Sequence, residues 1–120
     1  MKTIFALVML TGVAAFAGSL DHAYNATVRA VDLYASYRSN EVSADAKYQN
    51  QRLSVGGIIE KVAKDSDGDP FILLQGRVRC RFSEAFNGKI ARLQPGTAIG
   101  ISGTVVGLKG GVVVLKDCSF

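Results

Sequence analysis

Histidine and cysteine are scarce in this sequence, which contains one histidine, His22, and two cysteines, Cys80 and Cys118. A closed zinc site needs more ligands than these residues supply, so we predict no metal site. The sequence also lacks a G-x-S-x-G elbow, an H-E-x-x-H motif and a P-loop, and its histidine lies at no motif spacing from a cysteine or serine. We therefore expect a protein that binds rather than catalyses and that carries no cofactor.

A large excess of one charge is also missing. The chain has 14 basic and 10 acidic residues, a net charge of +4. Without the leader peptide described next, which contains Lys2, 13 basic residues face the same 10 acidic ones and the net charge is +3. Such a mild charge is far from the dense basic footprint of a dedicated nucleic-acid binder. We do not expect nucleic acid to be the main partner.

Residues 1–17 have the three-part pattern of a secretory signal peptide. Met1-Lys2 is a positive start, Ile4–Leu10 is an apolar run, and Ala15-Phe16-Ala17 matches an A-x-A cleavage site. The segment is too short to span a membrane; its alternatives are a core helix or a retained amphipathic anchor. We predict cleavage after Ala17 and a mature protein that is periplasmic or secreted, with no transmembrane segment.

Export would place Cys80 and Cys118 in an oxidising compartment, where an even pair in a small domain is typical of a disulfide. Closing a loop of this length stabilises a fold by ~4 kcal/mol on the chain-entropy model. The alternative is a pair of buried free thiols that pack as small apolar side chains. The sequence favours the disulfide.

Residues 18–50 are predicted to be helical. Ser19-Leu20-Asp21 can cap a helix that runs to about Ser36, along which apolar residues recur at steps of three and four. Asn40 is a suitable cap for a second helix, from Glu41 to Tyr48. We expect both helices to lie against the following domain rather than to form their own core.

Residues 51–120 read as five strands and one helix. The first strand covers residues 52–63 and alternates apolar with polar side chains until the pair Gly56-Gly57 interrupts it. The remaining strands are predicted at 71–74, 77–82, 97–108 and 112–118, with a helix at 83–93 between strands three and four. This order predicts an OB-fold, a five-stranded barrel, so the fold class is β with added helices.

Two strands of this predicted barrel share a pattern. Leu53-x-Val55-x-Gly57-x-Ile59 recurs as Ile99-x-Ile101-x-Gly103-x-Val105, with a glycine at the same point of each strand. Strands one and four of such a barrel pair with each other. We therefore expect these two glycine-containing strands to meet and close it.

The acidic stretch Asp65-x-Asp67-Gly68-Asp69 is similar to the start of a calcium loop. An EF-hand needs flanking helices and a bidentate glutamate at the last loop position, which here is Gly76. A hairpin turn needs only a left-handed glycine and aspartates that bond to their own backbone. We predict the hairpin turn.

The third strand carries the candidate binding residues. Arg77, Arg79 and Arg81 alternate with inward-facing residues, and Lys64 is expected nearby. In OB-folds the second and third strands and adjoining loops bind the ligand. No aromatic platform is expected there, because Phe71 begins an apolar run that looks buried, and the acidic loop would repel phosphates. The partner is predicted to be a protein or an anionic envelope saccharide; the alternatives are single-stranded nucleic acid, a structural domain of a larger assembly, and a merely solvated arginine face.

Several short patterns together resemble the bacterial OB-fold family called tRNA-anti-like, over about residues 30–120. They are Asn40…Ala44-Asp45-x-x-Tyr48, Leu53-x-Val55-x-Gly57, Val78-x-Cys80-x-Phe82, Gly96…Ile101-x-Gly103 and Leu115-x-Asp117-Cys118. The resemblance implies a small OB-fold protein that is exported or lipid-anchored, and it does not imply tRNA binding. Here Gln49-Asn50-Gln51 replaces the usual Gly-Lys turn, and no lipid-attachment cysteine is present, which favours a soluble periplasmic form.

Overall fold

The computed structural model describes residues 27–120, which form six strands, three α-helices and one 3₁₀ helix. The strands are β1 (Thr27–Arg29), β2 (Arg52–Lys64), β3 (Pro70–Leu74), β4 (Val78–Arg81), β5 (Ala98–Lys109) and β6 (Val112–Ser119). The helices are α1 (Ala30–Ser39), α2 (Glu41–Tyr48), the 3₁₀ helix Glu84–Phe86 and α3 (Asn87–Ile90). The predicted signal peptide, His22 and the start of the first predicted helix lie outside the described residues.

Within the ring, strand β2 pairs with two neighbours along its length. Its first half, residues 52–58, pairs antiparallel with β5, and its second half, residues 59–64, pairs antiparallel with β3. The pairings β3–β4, β4–β6 and β6–β5 complete a ring. Leu53 lies opposite Gly103 and Val55 lies opposite Ile101, so the predicted meeting of the two glycine-containing strands is confirmed.

The sheet has six strands rather than the five predicted. Thr27–Arg29, expected inside a helix, is the short strand β1, which pairs parallel with Ser54–Gly56 of β2. Strand β3 covers the same edge of β2 only from Ile59 onward. An uncovered strand edge exposes unpaired backbone groups, and β1 satisfies part of that edge. The prediction of a plain five-stranded barrel is therefore wrong in this respect.

The helices also differ in placement from the predictions. Helix α1 begins only at Ala30, whereas α2 has its predicted bounds, and the side chain of its cap, Asn40, accepts the backbone N–H of Ser43 at 3.0 Å. The helix predicted at 83–93 is a 3₁₀ turn followed by one turn of α3. Among residues 27–120, no helix is long and apolar enough to cross a membrane.

The core lies inside the ring of strands, and α1 packs over it through the buried side chains Leu33 and Tyr37. Two glycines allow close packing. A Cβ on Gly57 would lie 3.1 Å from the Cβ of Ala30, and one on Gly103 would lie 2.6 Å from Sγ of Cys118. These two glycines thus mark close approaches of α1 and of β6 to the strands that contain them, as expected of glycine inside strands.

The predicted disulfide is not formed in the structure. Cys80 and Cys118 are both buried free thiols in the core, the alternative left open by the sequence. A hydrogen bond with the Cys118 side chain and, secondarily, burial raise the pKa of the Cys80 thiol well above its usual 9.0. The sequence placed the pair in an oxidising compartment, but residue counting does not determine whether two packed thiols become joined.

We expect both thiols to be unreactive with a chromogenic disulfide reagent in the folded protein. Because folding raises the pKa of Cys80, its thiol should stay protonated as the pH passes 9.0, where the thiol of the unfolded chain is half ionised. Thiol reactivity measured against pH, with and without denaturant, checks this. A disulfide would leave no thiol to titrate after denaturation, and a reactive folded protein would contradict the buried placement.

Candidate anion-binding site

The outer faces of β4 and β6 form a groove of about 370 Å³, here called the cationic groove, between loop 65–69 and the end of β5. Its lining residues are Asp65, Ser66, Asp67, Arg79, Arg81, Val106, Lys109 and Val114. Strand β4 positions the two arginines because its alternate residues, Val78 and Cys80, point into the core. The groove therefore combines three cations with two carboxylates.

The guanidinium of Arg79 lies over an aromatic ring. Its guanidinium carbon lies 4.3 Å from the centre of the Phe71 ring, the range of a cation–π contact. Phe71 is only 6% exposed beneath it. The Nε atom of Arg79 is buried and has no hydrogen-bond partner in the described part of the protein. The other two guanidinium nitrogens of Arg79, rather than this buried Nε, are the donors that an anion in the groove can reach.

Arg81 is paired with the adjoining loop. Its Nε lies 3.7 Å from Oδ2 of Asp65, with 43% and 17% of the two side chains exposed. Oδ1 of Asp65 accepts the backbone N–H groups of Asp67 and Asp69 at 2.9 and 3.0 Å. Gly68 has a φ of 89°, as the turn requires. The predicted hairpin turn is confirmed, and Asp65 both closes the loop and neutralises part of the groove.

The structure brings together only two of the four residues predicted to bind. Arg79 and Arg81 share the cationic groove, whereas Arg77 precedes β4 and has a φ of 63°. This left-handed residue breaks the alternation on which the sequence prediction depended. Its guanidinium lies beside the β5–β6 turn, 4.0 Å from where a Cβ on Gly111 would be. Lys64 lines a separate apolar hollow with Pro70 and residues of α3.

Sequence reasoning missed Phe71 and Lys109 as residues of this face. Phe71 lies opposite Arg81, and Leu73 lies opposite Arg79. Phe71 and Leu73 are therefore on the same outer side of the sheet as the two arginines. Phe71 is buried, as expected, but it lies on the outer side of the sheet beneath Arg79 instead of pointing inward with its neighbours. Strict alternation within residues 71–74 was the available signal: Ile72 and Leu74 are fully buried and point the other way. Lys109 reaches the groove only because β5 closes the ring, which no local pattern indicates.

A larger groove, of about 660 Å³, lies where β1 meets β2 and β5. Its floor includes Gly56, Gly57 and Gly100, and of the described residues lining it only Arg29 is charged. Nε of Arg29 lies 3.9 Å from Oδ2 of Asp32. Binding sites combine apolar walls with a few converging polar groups. The larger groove has the apolar walls of that description, whereas the cationic groove is the candidate for an anion because it brings three cations together.

A ring of strands closed by β2 and β5 defines an OB-like protein of mostly β structure. Its cationic groove lies on strands β4 and β6. The chain belongs to the tRNA_anti-like family, whose model matches residues 5–119. The resemblance carried by the short sequence patterns is thereby confirmed. No curated protein sequence matches this chain.

One solved structure supports the fold, and a second matches less closely. A presumed nucleic acid-binding lipoprotein from Klebsiella pneumoniae matches with a TM-score of 0.65 and 16% identity, over 78% of this chain and 88% of that one. OBody AM3L09 bound to hen egg-white lysozyme matches with a TM-score of 0.48 and 13% identity, over 58% of this chain and 78% of that one. At such identities the first similarity shows the fold alone, and the second carries no argument.

Proposed function

We propose that this protein is an exported OB-fold binding module, without catalytic activity, that recognises an anionic group of a protein or an envelope component in the cationic groove. One observation carries the proposal: the guanidinium of Arg79 lies over the Phe71 ring, beside Arg81, in the cationic groove. A guanidinium ordered in advance loses less entropy when it binds a carboxylate. The signal-peptide pattern of residues 1–17 and the lipoprotein character of the Klebsiella pneumoniae protein support export.

Single-stranded nucleic acid is the second candidate. The presumed activity of the Klebsiella pneumoniae protein and the aromatic ring on this face favour it. Two features favour the first candidate. Phe71 is covered by Arg79 and so offers no free face on which a base could stack. Asp65 and Asp67 line the groove and repel phosphates.

Titration of the mature protein with three labelled probes tests the proposal: a glutamate-rich peptide, sialyllactose and oligothymidylate. We expect binding of the peptide or the saccharide that weakens between about 50 and 200 mM salt, because ion pairs are screened. Backbone amide NMR signals of Arg79, Arg81 and Lys109 should shift first. Absence of binding at low salt, or shifts confined to Gly56–Ile58 in the larger groove, would refute it. Tighter binding of oligothymidylate than of the other two would favour the second candidate.

A further inference from the structure

Asp65 places a negative charge of the protein itself inside the cationic groove. Oδ2 of Asp65 lies 3.7 Å from Nε of Arg81, and its other oxygen is held by the backbone N–H groups of Asp67 and Asp69. Both carboxylate oxygens are thus engaged, so the negative charge stays in place rather than moving with a free side chain. An incoming anion has to share Arg81 with Asp65.

The charges around the groove affect a single carboxylate and a chain of phosphates differently. A single carboxylate can approach Arg79 and Arg81 while the rest of its ligand is neutral. A chain of phosphates brings further negative charges close to Asp65 and Asp67, which line the same groove. Like charges at such distances repel and are only partly screened by solvent. Repulsion of the wrong ligand is a common source of specificity.

We infer that the cationic groove selects an acidic saccharide whose carboxylates are isolated among neutral sugars, and that Asp65 is the residue that excludes contiguous polyanions. The inference rests on the proposed function. Ser66 and Asp67, both exposed on the loop, supply oxygen atoms that can accept hydrogen bonds from sugar hydroxyls next to the carboxylate. An acidic peptide provides no such row of hydroxyl donors.

The test compares Asp65→Asn with Asp67→Asn, each titrated with sialyllactose and with oligothymidylate. Asparagine at position 65 keeps the oxygen that accepts the two backbone N–H groups, so the loop retains its turn. Asp65→Asn should tighten oligothymidylate binding about five-fold, the effect expected for one partly exposed ion pair. Sialyllactose binding should change by less than about two-fold. Asp67→Asn removes the same charge from the same loop but breaks no contact with Arg81. It should tighten oligothymidylate binding by about two-fold, less than Asp65→Asn does, because it lowers the repulsion of phosphates without releasing Arg81.

The outcomes separate this inference from the proposed function. If the unmodified protein binds sialyllactose but Asp65→Asn tightens oligothymidylate binding no more than Asp67→Asn does, the role of Asp65 is refuted and the proposed function stands. If the unmodified protein binds the glutamate-rich peptide but not sialyllactose, the ligand class inferred here is wrong. If it binds no anionic probe, both fail. Asp65→Ser, whose hydroxyl can also accept a backbone N–H, replaces Asp65→Asn should that variant not fold.

Discussion

Arg79→Ala should weaken binding of the anionic probe by about ten- to hundred-fold, the loss expected for a hydrogen bond between charged groups, roughly 1.5–3 kcal/mol. The substitution removes a guanidinium that lies over the Phe71 ring and lines the cationic groove. The Kd of the tightest of the three labelled probes, measured by fluorescence anisotropy at constant salt, checks this.

Arg92→Ala is the matched control, because Arg92 is exposed and lies outside the cationic groove. It removes the same charge and should leave Kd within about two-fold, as surface charges do. Arg79→Lys keeps the charge but loses the planar stack, and its affinity should lie between those of the other two. Equal losses for Arg79→Ala and Arg92→Ala would mean that net charge, and not this groove, attracts the probe.

Leu33→Ala should lower the free energy of unfolding by about 2–5 kcal/mol, the range for a large-to-small change in a core. Leu33 is 0% exposed and lies where α1 packs over the ring of strands. Truncation leaves a cavity between the helix and the sheet that the surroundings fill only in part. Urea unfolding followed by circular dichroism measures the change, and the dependence on urea should be unaltered if the protein still unfolds in one step.

Val42→Ala serves as the control, since Val42 is an apolar residue of α2 that is 81% exposed. It should change stability by less than about 0.5 kcal/mol. If Leu33→Ala were equally mild, α1 would not belong to the cooperative folding unit. The helix would then be a separate appendage to the sheet, contrary to its packing in the structure.

Arg79 and Arg81 were predicted to bind the ligand, and both line the cationic groove because both lie within one regular strand. There the alternation of side chains determines which face they occupy. Arg77 lies one residue before the strand, where a left-handed φ of 63° ends the alternation. The apolar neighbours of Phe71 predict that it points into the core. In a run that is apolar on both faces, hydrophobicity alone does not distinguish the inner side from the outer.

The redox state of the two cysteines is a second property that sequence patterns did not predict correctly. Spacing and an inferred compartment favour a bond, whereas the structure contains two thiols packed in the core. Likewise, no local signal indicated that Thr27–Arg29 would leave the helical pattern. The backbone groups of β2 that β3 does not reach provide the reason, and they become apparent only when the strands are assembled.

The amino-acid sequence by itself determined the order of the strands of the ring, the closure of that ring through two glycine-containing strands, the hairpin turn at 65–69 and the family. Each of these follows from short-range periodicity, from glycine or aspartate chemistry, or from residue types at set spacings. Only the tertiary structure decided that β1 joins the sheet, that Phe71 lies under Arg79, and that Lys109 and Asp65 share one groove with the arginines. These depend on which segments distant in the chain come together, and that is set by pairing of strand edges and burial of the core as a whole.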